Sequence, residues 1–506
     1  MKVMIYIYIL NMILMFIARR IFIRELGADI TGLKSLFTSL IGFLNVAELG
    51  IASAVGYSLY KPLSEKNYEK VNEIMILFKG YYNKIAKIIF IVGITLSISL
   101  PFLIKGQVNI LETYIYYYMY LINCSISYLF TYKQTLIIAD QKQYKIASTL
   151  NFVKIIKVLV QSIQLFIIQS FFVWLIIELL FNILGMISAN YKVDKEYSNK
   201  ITYLSQKSLK KLSKENILIK KNIKNIFFHR IGGVVVFQTD AILISIFSNL
   251  KEIAIYDNYM MIINTLVGFI NNAIGSIAPT IGNLIVEESK EKCYKIFNKL
   301  YVLDHLVSVF ITFVFYQLIN RFIVFWVGSE YLFSNYITFI LIINLYIQLS
   351  RGSIDRFKNG FGIYWDVASP IIESLLNLIF SLILTYKFGI IGVFGGTLIS
   401  NILIIEIWKP YILFREGFGK KFRFYILKTI SIFIKNIIIY IISNSIYNNI
   451  CFNIENSFLN LVINMLSASL ICLLISIIVY SFDKDFREFL IEIFKKYLIK
   501  LNFKSS

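Results

Sequence analysis

Residues 171–224 read FFVWLIIELLFNILGMISANYKVDKEYSNKITYLSQKSLKKLSKENILIKKNIK. The stretch 171–191 is apolar apart from Glu178 and a few small polar residues. An apolar helix of about 20 residues crosses a bilayer. The remainder, 192–224, holds ten lysines against Asp194, Glu196 and Glu215. Short loops rich in Lys and Arg stay on the cytoplasmic side of a membrane. A span followed by a basic loop is the unit from which the rest of the chain is built, in both directions.

Working outward, fourteen spans are expected, at roughly 3–23, 35–59, 85–104, 114–138, 149–168, 171–191, 226–248, 257–284, 301–327, 334–352, 367–386, 389–408, 428–447 and 458–481. Loops after even-numbered spans are basic, as at 61–84, 287–299 and 409–428. The loop after the fourth span sets Lys142 and Lys145 against Asp140, with Lys133, Lys154 and Lys157 beside it. Loops after odd-numbered spans are short and together carry a charge of −2. Both termini are therefore expected in the cytoplasm of a bacterium, with the chain in its cytoplasmic membrane. The apolar run from Val3 ends at Arg19-Arg20 without a small-residue cleavage pattern and reads as the first span rather than a cleaved leader.

Composition agrees with an all-α membrane body. The 506 residues are 58% hydrophobic, with mean hydropathy +0.70 and 5 prolines, too little polar sequence to coat several soluble domains. A net charge of +21 in a soluble chain would point to nucleic acid. Here the charge sits in the loops of one side, so nucleic acid is not expected; part of the lysine excess also accompanies abundant Ile, Asn and Tyr, as in an AT-rich genome. Cys124, Cys293, Cys451 and Cys472 form no CxxC pair, and His229 and His305 have no ligand spacing, so neither a metal nor a cofactor is expected.

The long basic loop divides the first twelve spans six and six. Because six is even, both halves start on the same side, and a parallel pseudo-twofold repeat would have its axis along the membrane normal. The connectors Ser64-Glu65-Lys66-Asn67-Tyr68-Glu69-Lys70 and Glu288-Ser289-Lys290-Glu291-Lys292-Cys293-Tyr294 occupy matching positions in the two halves. The expected organisation is an N-lobe over 1–191, a basic loop over 192–225, a C-lobe over 226–409, an appended hairpin over 410–481 and a tail over 482–506. Glycines at 42, 50 and 56, at 268, 275 and 282, and at 392, 395 and 396 serve either close helix packing or bending during transport.

Ionisable residues at the bilayer centre cost about 2.5–3.5 kcal/mol each on insertion scales, so they face a cavity or a partner. Arg19, Arg20 and Arg24 end the first span at its outer end, and Arg20 and Arg24 share a face. Guanidinium matches phosphate oxygens in bidentate geometry, which makes this a candidate rim for an anionic ligand; the alternative is snorkelling to headgroups. Arg230 beside His229, and Arg351 and Arg356 at the end of the tenth span, are further candidates, with Arg351 and Asp355 spaced to pair. Glu48, mid-span in the second, and Asp240, inside the seventh, are candidate sites for a coupling cation, a proton or sodium; the alternative is interhelical hydrogen bonding. Glu178, Glu373 and Glu406 are buried acids without an evident partner. No enzyme constellation is present: Asp483-Lys484-Asp485 lies in the tail without a nucleotide-binding domain, 389–396 joins two spans, and there is no Walker A sequence.

Several strings resemble the bacterial polysaccharide repeat-unit flippases of the multidrug/oligosaccharidyl-lipid/polysaccharide exporter superfamily. They are RIFIRELGADITGLKSLFTSLIGFLN at 20–45, AELG at 47–50 and YSLYKPL at 57–63. Others are Gly232-Gly233-Val234 through Thr239-Asp240, Ile262-Ile263-Asn264-Thr265 and Gly275-Ser276-Ile277. The last are Gly362-Ile363-Tyr364-Trp365-Asp366 through Pro370, and Gly392-Val393-Phe394-Gly395-Gly396-Thr397. The resemblance covers about residues 19–418, and departs from the family in having only Met1-Lys2 where a basic segment usually precedes the first span. It implies a two-lobed bundle that moves undecaprenyl-diphosphate-linked oligosaccharide between leaflets by alternating access, alongside polysaccharide polymerase machinery. The arginines would suit the diphosphate, and Tyr57 and Tyr60 the sugars. A drug/cation antiporter of the same fold would favour an acidic cavity without the arginines. A membrane polymerase or ligase would favour a large external loop, which this chain lacks.

Overall fold

A backbone inside a bilayer must satisfy its own N–H and C=O groups, and a long apolar chain does so by forming helices. The computed structural model describes residues 2–48, 50–105, 108–198, 200–203, 208–275, 278–363, 366, 368–450 and 457–492, which contain helices and no strand. The protein is an all-α, multi-pass membrane protein, and among the described residues helix occurs in each of the fourteen expected spans. Nine of the described helices are long and apolar enough to cross a membrane by length and composition alone.

One compact unit comprises Met1–Asp257 with Pro370–Ser374. Its elements are α1 (Lys2–Leu44), α2 (Ile51–Ser64), α3 (Tyr68–Ser97), α4 (Leu100–Leu103), α5 (Ile110–Ala139), α6 (Tyr144–Ile167), α7 (Phe171–Tyr197), α8 (Leu209–Glu215), α9 (Ile217–Phe247) and the start of α10 (Leu250–Gly275). Asn67, Asn109, Ser170 and Ser208 cap α3, α5, α7 and α8 through their side chains, each satisfying a free first-turn N–H. The seven tyrosines of α5 lower its hydropathy while leaving it helical.

Two breaks shape this unit, one in the connection expected at 24–34 and one inside the expected second span. Gly27, at φ 80° and ψ 179°, bends α1 sharply. The Lys34 ammonium consequently lies 4.4 Å from the Phe22 ring centroid, although twelve residues of straight helix would separate the two backbones by about 18 Å. Further on, the expected second span is not one helix. It leaves α1 at Leu44, makes a 3₁₀ turn over Asn45–Glu48 and restarts as α2 after Gly50, which is left-handed at φ 90°. Non-helical backbone at membrane depth persists only where protein or a cavity surrounds it. Here the Tyr128 hydroxyl donates to Asn45 Oδ1 at 2.8 Å, and Tyr82 donates to Glu48.

The second unit comprises Asn258–Ser369 and Leu375–Ser506. It continues α10 and adds α11 (Ala278–Glu287), α12 (Lys290–Trp326), α13 (Asn335–Ser350), α14 (Gly352–Gly360), α15 (Ala368–Phe388), α16 (Ile390–Asn401), α17 (Lys409–Ile412), α18 (Arg423–Ile450) and α19 (Ser457–Tyr480). Two π-helical turns, Ile402–Trp408 and Leu413–Phe418, flank α17. Phe297, Phe357, Phe414 and Phe418 form its aromatic core with Tyr301 and Tyr425. Beyond α19, Asp483 accepts the Asp485 and Phe486 backbone N–H groups and binds Lys428 and Lys435, while Lys428 also binds Asp485. The two acids of the Asp-Lys-Asp string thus tie the segment after α19 to α18.

The glycines at 392 and 396 act in close packing. A Cβ on Gly392 would lie 2.1 Å from the Leu384 carbonyl carbon, and one on Gly396 2.3 Å from the Ser381 nitrogen, so α16 meets α15 backbone to backbone. Nothing lies within 4 Å of a Cβ on Gly282. Gly392→Ala is expected to destabilise the purified protein by about 1–3 kcal/mol through overpacking, and Gly282→Ala to be neutral or stabilising by up to about 1 kcal/mol, read as thermal unfolding in detergent. Burial opposes ionisation of Asp483, but Lys435 and Lys428 outweigh it and hold the carboxyl below the usual range. Its stabilising contribution is therefore complete above the unfolded value of about 4 and is lost as pH falls through the lower folded value. Asp483→Asn should cost about 1–3 kcal/mol at neutral pH and flatten the acid limb of the stability profile.

Candidate functional site

Five charged side chains of the first unit lie at one level. Arg19 and Lys34 stand on either side of Gly27, Lys157 precedes the turn between α6 and α7, Glu178 follows it, and Asp257 follows the turn before α10. Each is seven to eleven residues from its turn, or roughly 10–17 Å along the helix. The level is set by helix length, so a charge that would be solvated at a helix end is carried into the span.

Arg19 is 7% exposed and its Nη1 lies 2.9 Å from Asp257 Oδ2, which also accepts the Ser35 hydroxyl at 2.7 Å. Lys157 Nζ lies 2.6 Å from Glu178 Oε1 and 3.1 Å from Asn182 Oδ1. Gln161 Nε2 donates to Glu178 Oε2 at 2.9 Å, and Asn182 extends the chain to Asn123 on α5 at 3.3 Å. Lys34 lies within the electrostatic reach of both pairs, attracted by Glu178 and Asp257 and repelled by Arg19 and Lys157. Its ammonium sits 4.4 Å from each of the Phe22 and Trp174 ring centroids, and it has no hydrogen bond or ion pair to the described residues. Three cations face two carboxylates, so the cluster carries one positive charge in excess. Cation–π contact holds that charge while leaving three N–H donors for an incoming acceptor.

Of the residues singled out from the sequence, Arg19 and Glu178 belong to this layer, Glu178 with the partner that the sequence did not show. Arg20 and Arg24 are exposed on another face of α1; Arg24 Nη2 lies 2.6 Å from Glu25, its guanidinium carbon 5.2 Å from the Phe166 ring centroid. The Arg230 side chain lies outside the described residues. Arg351 and Asp355 pair at 3.2 Å, as their spacing predicts. Arg356 reaches from α14 to Asp304 on α12 at 2.7 Å, and the Ser353 N–H joins it on the same carboxylate at 2.6 Å. Asp240 is 8% exposed and accepts the Tyr256 hydroxyl at 3.3 Å, its Oδ1 having no partner among the described residues. No group of three or more metal-ligating side chains occurs among the described residues.

Lys34, Lys157 and Asp257 were not among the sequence candidates. Lys34 precedes the expected second span and reads as loop, and Lys157 reads as support for a basic loop. One available signal was the α6–α7 hairpin, which turns at 168–170 and so sets Lys157 and Glu178 at similar distances from its tip.

The arrangement can hold an anion at membrane depth. The chain shares its fold with solved transporters. A lipid II flippase, MurJ, in an inward closed conformation superposes with a TM-score of 0.69 at 16% identity, covering 95% of this chain and 99% of that one. An inward-facing multidrug resistance MATE family transporter of the MOP superfamily gives 0.55 at 14% identity, covering 81% and 94%. A Vibrio cholerae MATE transporter, VcmN, gives 0.54 at 13% identity, covering 82% and 96%. No protein-family model and no curated protein sequence matches the chain.

Removing one member of a buried ion pair strands the other. Lys157→Met should cost about 3–5 kcal/mol, and the Lys157→Met, Glu178→Met double variant should recover most of it. Thermal unfolding across the double-mutant cycle checks this; additive effects would show that the two groups do not interact.

Proposed function

We propose that the protein flips undecaprenyl-diphosphate-linked oligosaccharide repeat units from the inner to the outer leaflet of a bacterial cytoplasmic membrane by alternating access, for cell-surface polysaccharide biosynthesis. The observation that carries this reading is the charge layer of the first unit, whose unpaired cation, Lys34, lies between two rings inside an apolar body. A lipid-linked diphosphate brings the complementary charge to that depth and leaves without a covalent change, so the activity is transport and not catalysis. The fold supports the reading, since it is one that a lipid flippase uses.

In this mechanism the basic loops gather the anionic headgroup at the cytoplasmic face. Lys34 then takes a diphosphate oxygen, with Arg19 held in place by Asp257 and Lys157 by Glu178. Arg20 and Arg24, exposed on α1 just before the Gly27 bend, receive the headgroup as it leaves. Paired cations keep the empty site from collapsing onto a single acid, while the excess charge gives the diphosphate a reason to enter. Arg230, Arg351 and Arg356 are reserve diphosphate contacts, and Glu48 and Asp240 candidate binders of a coupling proton or sodium. Both termini are cytoplasmic, and a polysaccharide polymerase is the natural acceptor of the flipped unit.

A second reading, a cation-coupled drug antiporter, is favoured by Asp240, whose free oxygen would suit a cation. The two readings separate on the sign of the charge that matters. Complementation of a strain lacking its repeat-unit flippase should restore surface glycan with the wild-type chain. At equal membrane abundance, Lys34→Met and the Arg20→Ala, Arg24→Ala pair should each reduce glycan by ~10-fold or more, the loss of one charge-assisted hydrogen bond being about 1.5–3 kcal/mol. Drug resistance abolished by Asp240→Asn and indifferent to Lys34→Met would overturn the flippase reading in favour of the antiporter.

A further inference from the structure

The second unit buries polar groups that the proposed diphosphate path does not use. They begin with a local fault in a helix. Pro410 has no N–H, and its ring collides with the carbonyl four residues earlier, that of Glu406. The backbone responds by widening: Ile402–Trp408 is a π turn, in which the Lys409 N–H bonds to the Ile404 carbonyl five residues back. Such turns are rare and concentrate at functional sites. Glu406 sits inside this one. Its Oε2 accepts the Tyr425 hydroxyl at 3.0 Å, and its Oε1 is buried with no partner among the described residues. Tyr425 is 2% exposed, and beside it the Tyr301 and Thr429 hydroxyls lie 3.0 Å apart. The one hydrogen-bond partner of the carboxyl among the described residues, Tyr425 from α18, is a phenol, and Tyr301 from α12 packs against it with ring centroids 5.8 Å apart.

The histidine packed against Tyr301 is also uncharged. His305, fully buried, is one helical turn from Tyr301, their rings 4.4 Å apart. The Tyr480 hydroxyl, from α19, donates to Asn436 Oδ1 at 2.8 Å, so Asn436 presents its Nδ2 to the Tyr346 oxygen at 2.7 Å. This leaves the Tyr346 proton available to His305 Nδ1, 2.6 Å away. A ring nitrogen that accepts belongs to a neutral imidazole, whose Nε2 here has no partner among the described residues. Several cations of the surrounding elements are paired elsewhere. Arg356 holds Asp304, Lys428 and Lys435 hold Asp483, and Lys409 faces Asp355 at 4.0 Å.

We propose that Glu406 is a proton-binding site. A carboxylate whose free oxygen is buried, with one phenolic hydrogen bond and no counter-ion among the described residues, would forfeit several kcal/mol of solvation, so in this conformation the carboxyl holds its proton. It releases that proton when the π turn moves and admits water or a cation to the Tyr301–Tyr425 pocket. Assigning the proton to transport coupling rests on the transporter reading; proton binding at Glu406 does not.

Infrared spectroscopy of the purified protein in lipid nanodiscs tests the site directly, with the proton as probe. At neutral pH the wild-type chain should show a protonated-carboxyl C=O stretch component that Glu406→Gln removes and Glu65→Gln, at an exposed carboxyl, retains. Tyr425→Phe should move that component to higher frequency without abolishing it, because the carbonyl loses its donor. If Glu406→Gln instead removes ionised carboxylate absorption and leaves the protonated region intact, the proposal fails. Should Glu406→Gln not fold, the Tyr425→Phe spectrum decides, and an unshifted carboxyl region overturns the assignment. Failure of glycan complementation would count against the flippase reading and leave this spectrum unchanged.

Discussion

A charge in the hydrocarbon layer costs several kcal/mol unless another group answers it, and this condition orders the interior of the protein. In the first unit the answer is alternation. Asp257 and Glu178 are each held by a cation, and the remaining ammonium is received by aromatic rings. In the second unit Arg356 and Asp304 answer each other, and the Asp304 carboxylate also accepts the N–H of Ser353 at the start of α14. Where no counter-charge exists, as at Glu406, the alternative is a proton. The same physics thus yields ion pairs where partners are available and neutral acids where they are not.

Much of the fold was legible because hydropathy and loop charge are sums over many residues, and sums tolerate local error. The span at 171–191 and the basic stretch after it need no single residue to be read correctly. The break in the second span was not legible in that way. Asn45 and Gly50 look like ordinary span residues until Tyr128 and Tyr82, from later helices, supply the hydrogen bonds that make a non-helical turn tolerable at that depth. The π turns share this character. Pro410 announces an irregularity, but only the fold shows that the backbone widens rather than kinks.

The site was legible in proportion to how local its chemistry is. The Arg351–Asp355 pair follows from four-residue spacing alone. The partners of Arg19 do not, since Asp257 lies 238 residues further along the chain. Lysines were the least legible, because a lysine near a span end counts as evidence for a basic loop whether its ammonium points outward or inward. Lys34 and Lys157 point inward because apolar stems and facing aromatic or amide groups let them do so.

Gly27 makes the spacing within α1 a fixed measure. A Cβ at this position would meet nothing within 4 Å, so the residue is demanded by its left-handed φ rather than by crowding. Arg19 and Lys34 owe their common level to this bend, and each added or deleted residue between them would turn one side chain by about 100° around its arm. Homologous chains should therefore vary freely in the length of the basic loop at 192–224 while keeping the count from Arg19 through Gly27 to Lys34 constant. In this protein an interval of sequence, as much as any single side chain, would be what selection preserves.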